Sequence, residues 1–180
     1  VLQLVRTTAY TNHGLRQEDA TALKVSSEKG VHLAKDDSFY TESICVAAGY
    51  EVVVTGRVDR IEQCPDGSKV LVEIKNRAKQ LFRRLYTYEN VQIQVYLQLL
   101  DLEKGKLVEQ FNSEVNTIEV TRDREYWANF IRPKLVEFAT MLITILTDTV
   151  ARDSYIVAAT AEEAGANTRA HSTKRANEDL

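Results

Sequence analysis

Cysteine is scarce. The 180 residues hold two, Cys45 and Cys64. They form no C-x-x-C pair and have no histidine at ligand spacing. A zinc site or an iron–sulfur cluster draws on about four ligands, mostly cysteine, so neither cofactor is expected. Two isolated cysteines read as reduced thiols of an intracellular protein. Long apolar runs are also missing. The longest, within "FATMLITILTDTV", is too short to span a bilayer and is flanked by Glu137 and Asp148, which excludes a membrane-spanning role. No basic segment followed by an apolar stretch and a cleavage site opens the chain, so no signal peptide is expected. Nor is there an excess of basic charge: the net charge is -3. Any nucleic-acid surface must therefore be a local basic patch. No internal repeat is found. What remains is an ordinary globular balance, 44% hydrophobic and 27% charged, in a chain long enough for one domain with a real core and a tail.

Along the chain, residues 12–27 read as a helix capped by Thr11 or Asn12, with Leu15, Ala22 and Val25 as its apolar stripe. A strand is predicted near Ser43–Ala48. "EVVVTGRVDRIEQ" reads as one alternating strand, "CPDG" as a turn, and "SKVLVEIKNR" as the return strand. Pro65 suits the second position of a type I turn and Gly67 the fourth. A basic segment, "NRAKQLFRRLYTYEN", follows. "VQIQVYLQLL" is ambiguous: its alternation says strand, whereas its Gln and Leu content says helix. Residues 106–121 read as a strand pair, and 123–148 as a helix that Pro133 kinks or divides. The fold is predicted to fill residues 1–150, with 151–180 as a mobile tail.

The stretch "VLVEIKNR" carries the chemistry. Glu73 and Lys75 interrupt an apolar strand on the face that also holds Leu71. Across the turn, Asp59 pairs with residue 72 or 73, and a one-residue bulge at Gly67 sets it opposite Glu73. Two carboxylates about 5 Å apart at Cβ repel each other unless a cation lies between them. Oxygen ligands of this kind suit Mg²⁺ or Mn²⁺. Glu18 lies on the apolar stripe of the first helix, where a carboxylate needs a partner or a metal. An ammonium at Lys75 beside such a cation positions a water and favours its deprotonated form, the chemistry of phosphodiester hydrolysis. Taken singly, each feature has an ordinary explanation: an E-x-K pair on a strand is usually a solvent-face ion pair, and a basic run is usually a solvated loop. Their joint order and spacing shifts the weighting.

That order resembles the PD-(D/E)XK nuclease superfamily, nearest its RecB and lambda-exonuclease-like branch. The similar stretch is "VTGRVDRIEQCPDGSKVLVEIKNR" with "QIQVY" after it. An Asp after a G-x-[VI] step (Asp59), a [DE]-x-K (Glu73, Lys75) and Q-x-x-x-Y on the following helix (Gln92, Tyr96) match. "GLRQE" matches the first helix's G-x-x-x-E at Glu18, with His13 as a weaker candidate there. Val58 replaces the Pro of the family's name. The resemblance covers residues 12–103, implies an α/β restriction-endonuclease-like core with a central mixed sheet flanked by helices, and makes "VQIQVYLQLL" helical.

The resemblance also implies roles. Asp59, Glu73 and Lys75 are catalytic. Glu18, Asp59, Glu73 and the Ile74 carbonyl hold one or two Mg²⁺ or Mn²⁺ ions. Gln92 and Tyr96 bind phosphate or brace the site. Arg77, Lys79, Arg83 and Arg84 grip the nucleic-acid backbone, and Tyr86 and Tyr88 stack on unpaired bases. The expected partner is DNA and the expected activity is metal-dependent exonucleolytic hydrolysis in recombination, repair or viral genome processing. The alternatives are a structure-specific or RNA-directed endonuclease on the same core, or a member that binds nucleic acid without cutting. Recognition of DNA ends calls for a homo-oligomer or a larger protein partner. The C-terminal helix, with Trp127, Phe130, Leu135, Phe138 and Leu142 on one side, is the expected interface.

Overall fold

A computed structural model of the chain describes residues 17–160. The described chain forms two compact units. One runs to Glu42 and from Val53 to Pro133; the other consists of Ser43–Val52 and the chain from Lys134 onward. Every candidate site residue that is described lies in the first unit.

Its frame is a mixed five-stranded sheet in the order β1-β4-β5-β6-β7. The strands are β1 (His32–Lys35), β4 (Arg60–Gln63), β5 (Lys69–Asn76), β6 (Lys104–Phe111) and β7 (Glu114–Thr121). All neighbours are antiparallel except β5 and β6, which run parallel with Glu73 beside Leu107 and Lys75 beside Glu109. A parallel pair needs a crossover. Helix α2 (Thr87–Leu100) supplies it.

Central strand β5 is buried on both faces, which explains its near-continuous apolar run. Leu71 packs with Val58, Ile61, Ile93, Leu97, Leu107 and Val120 on the α2 side. Val72 and Ile74 face the other way, with Val108 and with Ala22 and Val25 of α1 (residues 17–29). The proposed caps Thr11 and Asn12, together with His13 and Leu15, lie outside the described residues.

"EVVVTGRVDRIEQ" is two strands rather than one. Its first half is β3 (Tyr50–Gly56), which pairs with β2 (Tyr40–Ala47) in a separate two-stranded sheet. Its second half is β4 in the main sheet. The chain leaves one sheet and enters the other through Arg57, Val58 and Asp59.

The C-terminal helix is continuous through α3 (Arg124–Tyr126), a π-helical turn (Trp127–Ile131) and α4 (Arg132–Thr147). Arg132 N–H reaches back to the Trp127 carbonyl. The wide turn just before Pro133 thus takes the place of a break. The apolar side expected of this helix is divided: Trp127, Ile131, Ala139 and Ile143 are buried, whereas Phe130 and Phe138 are exposed. Residues 149–160 are helical (α5) where the sequence reading places the start of a tail.

Candidate active site

The turn between β4 and β5 sets the register. Gly67 N–H donates to the Cys64 carbonyl at 3.0 Å and Cys64 N–H to the Ser68 carbonyl at 2.9 Å, closing a three-residue loop with Gly67 at φ 83°. That positive φ is a conformation glycine adopts without strain. Arg60 then pairs with Val72, and one more step sets Asp59 opposite Glu73, as the bulge at Gly67 requires.

Asp59 Oδ2 accepts from the Ile74 backbone N–H at 2.7 Å, which fixes the carboxylate; among the described residues, no hydrogen bond to Oδ1 is seen. Glu73 Oε1 accepts from Lys75 Nζ at 2.7 Å and Gln92 Nε2 at 2.9 Å. Lys75 also donates to Gln92 Oε1 at 3.1 Å, and Gln92 Nε2 lies 3.2 Å from the Tyr96 hydroxyl. Gln92 therefore braces two of the three catalytic candidates, Glu73 and Lys75. Glycine is needed at Gly56 for this arrangement: a Cβ there would stand 2.5 Å from Tyr96 Cε1.

One atom is left over. Glu73 Oε2 is buried with no hydrogen-bond partner among the described residues. Burial pushes the Glu73 carboxyl up to about 7, and the charge of Asp59 adds to that against the pull of Lys75. Burial raises Asp59 as well; the Ile74 N–H opposes this and Glu18 reinforces it. For Lys75, burial favours the neutral amine, but Glu73 and Asp59 outweigh it and hold the ammonium above its ordinary value. A buried carboxylate oxygen without a donor is costly. Its natural complement is a cation.

Among the described residues, no three His, Cys, Asp or Glu side chains stand grouped as a ready cation cage. The reason is Arg60. Its buried guanidinium donates to Glu18 Oε1 at 2.5 Å and to the Asp59 carbonyl at 2.5 Å, and it also pairs with Asp19. Glu18 is thus joined to the site through Arg60 rather than aimed at Glu73. Beside them lies a cavity of about 220 Å³ lined by Glu18, Asp19, Asp37 and Asp59 together with Lys35, Arg57 and Arg60. Mg²⁺ keeps several waters and needs only one or two carboxylates. The orphaned Glu73 oxygen, Asp59 Oδ1 and the nearby Ile74 carbonyl fit that demand.

The basic residues of the 76–90 segment divide. Lys79 and Arg84 are exposed, and exposed Arg83 pairs with Glu114 at 2.8 Å. Arg77 is not a free cation. Its guanidinium is held by Glu89 at 2.6 Å and Glu109 at 2.7 Å, both fully buried. Its charge is spent inside the fold. Glu109 also accepts from the backbone N–H groups of Phe82 and Arg83 and from Asn116. Sequence reasoning missed Arg60, Glu89 and Glu109. The signal for Glu109 was its parity with Leu107 on β6, which places a carboxylate on the same buried face as Glu73.

A model of the PD-(D/E)XK nuclease superfamily matches residues 4–176. No curated protein matches the sequence at a significant level. Similar solved structures include LHK-Exo in complex with dAMP, at 15% identity and TM-score 0.60, covering 83% of this chain and 75% of that one. LHK-Exo is an alkaline exonuclease from Laribacter hongkongensis. A phage-related exonuclease from Haemophilus somnus is similar at 15% identity and TM-score 0.54, covering 77% of this chain and 74% of that one. The structure of SSO0001 is similar at 20% identity and TM-score 0.50; the match covers 71% of this chain and 56% of SSO0001. At these identities the likeness is one of fold.

Proposed function

The chain belongs to the PD-(D/E)XK nuclease superfamily, and on that premise we propose that it hydrolyses DNA phosphodiester bonds from an end. The observation that carries the reading is the buried Glu73 Oε2, without a partner among the described residues, on a carboxylate that feels the charges of Asp59 and Lys75. Asp59, Glu73 and the Ile74 carbonyl would hold Mg²⁺ or Mn²⁺, with Glu18 joining them if Arg60 gives way. Bound there, a divalent cation supplies positive charge against the phosphoryl oxygens and acidity to a water.

The chain's own residues do the rest. An ammonium has three N–H groups. Lys75 gives one to Glu73 and one to Gln92, leaving the third for the attacking water. The water gives its proton to bulk solvent, the ammonium stabilises the hydroxide that bonds to phosphorus, and the ester oxygen released as the P–O bond breaks takes a proton from solvent. Gln92, held by Tyr96, keeps Lys75 and Glu73 in fixed relation while the phosphate is attacked. Lys79 and Arg84 supply backbone contacts, so binding falls with salt. Attack from an end is favoured by the two similar folds described as exonucleases, one of them solved with a deoxynucleoside monophosphate. End recognition points to a second copy of the chain or to a larger partner.

The test is incubation of linear and covalently closed circular DNA with Mg²⁺ or Mn²⁺, beside an EDTA control. Loss of the linear form alone supports the proposal. Equal attack on both favours an endonuclease. Binding without cleavage under any metal would identify a member in which Arg60 holds the place of the cation.

A further inference from the structure

The segment that joins β5 to α2 is fixed from below. Glu109 holds the Phe82 and Arg83 backbone N–H groups, and the Arg77 guanidinium lies 4.4 Å over the Phe82 ring. Glu89 at the start of α2 accepts from Tyr86 N–H and pairs with Arg77. On this base stands a run of π surfaces. Phe82 meets Tyr86 edge-on at 5.2 Å, the Arg84 guanidinium lies 4.2 Å over Tyr86, and Tyr88 lies nearly parallel to Tyr86 at 5.9 Å. Tyr86 is thereby enclosed by three neighbours. Tyr88 is 62% exposed and offers its ring to solvent, with Arg84 and Lys79 exposed nearby in the chain.

The position of Tyr88 gives the surface its meaning. Residues four apart share a helix face, so Tyr88, Gln92 and Tyr96 form one line along α2. Gln92 touches both Glu73 and Lys75. Tyr88 stands one turn, about 6 Å, before it, a distance comparable with one nucleotide step of an unstacked strand. An exposed aromatic ring on a rigid base beside cationic side chains is the combination that holds single-stranded nucleic acid, because every base has a π face. Ordering cost is low where the platform is already fixed.

We propose that Tyr88, backed by Tyr86 and Arg84, is a stacking subsite for the unpaired nucleobase next to the scissile phosphate. The substrate class is accordingly a single strand or a frayed end, bound with little regard to base identity. This rests on the reading of the chain as a nuclease acting on DNA, and binding can be measured without cleavage.

The experiment uses the full chain in EDTA and fluorescein-labelled oligodeoxythymidylate, read by anisotropy. Tyr88→Ala is expected to weaken binding by about 5- to 150-fold, and Tyr88→Trp to retain it. Because the side chain is exposed, both variants are expected to fold, which circular dichroism checks. An abasic site is then moved along the oligonucleotide. At one position it should weaken wild-type binding as much as Tyr88→Ala does, and it should have no further effect on that variant. Wild-type affinity in Tyr88→Ala, or equal sensitivity of both proteins to every abasic position, overturns the subsite. Binding that one abasic position weakens in wild type and not in Tyr88→Ala, in a protein that cuts nothing under any metal, leaves the subsite standing and removes the nuclease reading. Cleavage of linear DNA with Tyr88→Ala unaffected in binding removes the subsite alone.

Discussion

Glu73 and Glu109 stand on neighbouring strands, on the same face of the sheet, and both are buried. Glu109 is saturated: Arg77, two backbone N–H groups and Asn116 donate to it. Those donors hold its carboxyl below the usual range even though burial opposes them. Glu73 has Lys75 and Gln92 on one oxygen and no partner among the described residues on the other, and its carboxyl is pushed up to about 7. Lys75 sits in register beside Glu109, yet its ammonium turns to Glu73. A satisfied buried charge maintains a shape, whereas an unsatisfied one is a vacancy in the hydrogen bonding that a ligand can fill.

The largest effect should fall on turnover. Lys75→Ala is expected to lower kcat by about 10²–10⁴-fold while DNA affinity measured in EDTA stays near wild type. A mutant that cuts at the wild-type rate would show that Lys75 does not activate the water. Next comes stability on the other side of the comparison. Glu109→Ala leaves Arg77 with one partner and two N–H groups without an acceptor, a loss of about 3–5 kcal/mol in urea unfolding, with turnover per folded molecule largely intact. An unchanged midpoint would mean that the Glu109 network is ornamental.

The two carboxyls should also bend the pH dependence of stability in opposite directions. Glu109 has a lowered folded value, so its contribution is present above the unfolded value of 4.5 and is lost as pH falls. Glu73 has a raised folded value, so the folded state binds the proton more tightly between pH 4.5 and about 7. Its contribution is present below that window and is lost as pH rises through it, on the order of 3 kcal/mol. Glu73→Gln should therefore unfold at higher urea than wild type at pH 8, and close to wild type at pH 4.5. A variant less stable than wild type at pH 8 would mean that the Lys75 pair outweighs the burial penalty.

A smaller effect is expected from Mn²⁺. At a hundredfold excess over its Kd it adds about 2.7 kcal/mol to wild type and raises Tm, with no shift for Glu73→Gln. Equal shifts in both proteins would place the cation elsewhere. The smallest effect belongs to Gly56→Ala, which displaces Tyr96 and loosens Gln92. The expected loss is about tenfold in kcat, since misplacement by a fraction of an ångström costs less than the 10²-fold of a full one.

The hairpin was legible because its determinants are local. Pro65 and Gly67 fix the turn, the turn fixes the register, and the register brings Asp59 to Glu73. The helix at "VQIQVYLQLL" was legible only through resemblance, and the structure gives the reason. Gln94 is buried and holds the Thr121 carbonyl and the Asp123 N–H, so a polar residue occupies an inward position and the apolar period looks strand-like. The break between β3 and β4 was hidden because alternation reports a half-buried strand without saying what it pairs with. Arg77 misled for a related reason. It sits in a basic run, but the two carboxylates that neutralise it lie 12 and 32 residues further along the chain.

The parallel pairing of β5 with β6 also has a kinetic consequence. The β4–β5 hairpin closes over three residues and can form on the microsecond scale, so the two mutually repelling carboxylates meet early. Lys75 is already in the hairpin, but Gln92 on α2, which holds both Lys75 and Glu73, arrives only after a much longer loop has closed. The centre is thus built around its least favourable pair. Low pH, which neutralises Glu73, is expected to speed refolding, whereas Val120→Ala at the far edge of the sheet is expected chiefly to speed unfolding. Stopped-flow chevrons at pH 5 and pH 8 would separate the two, and folding arms that coincide at both pH values would show that the hairpin is not part of the nucleus.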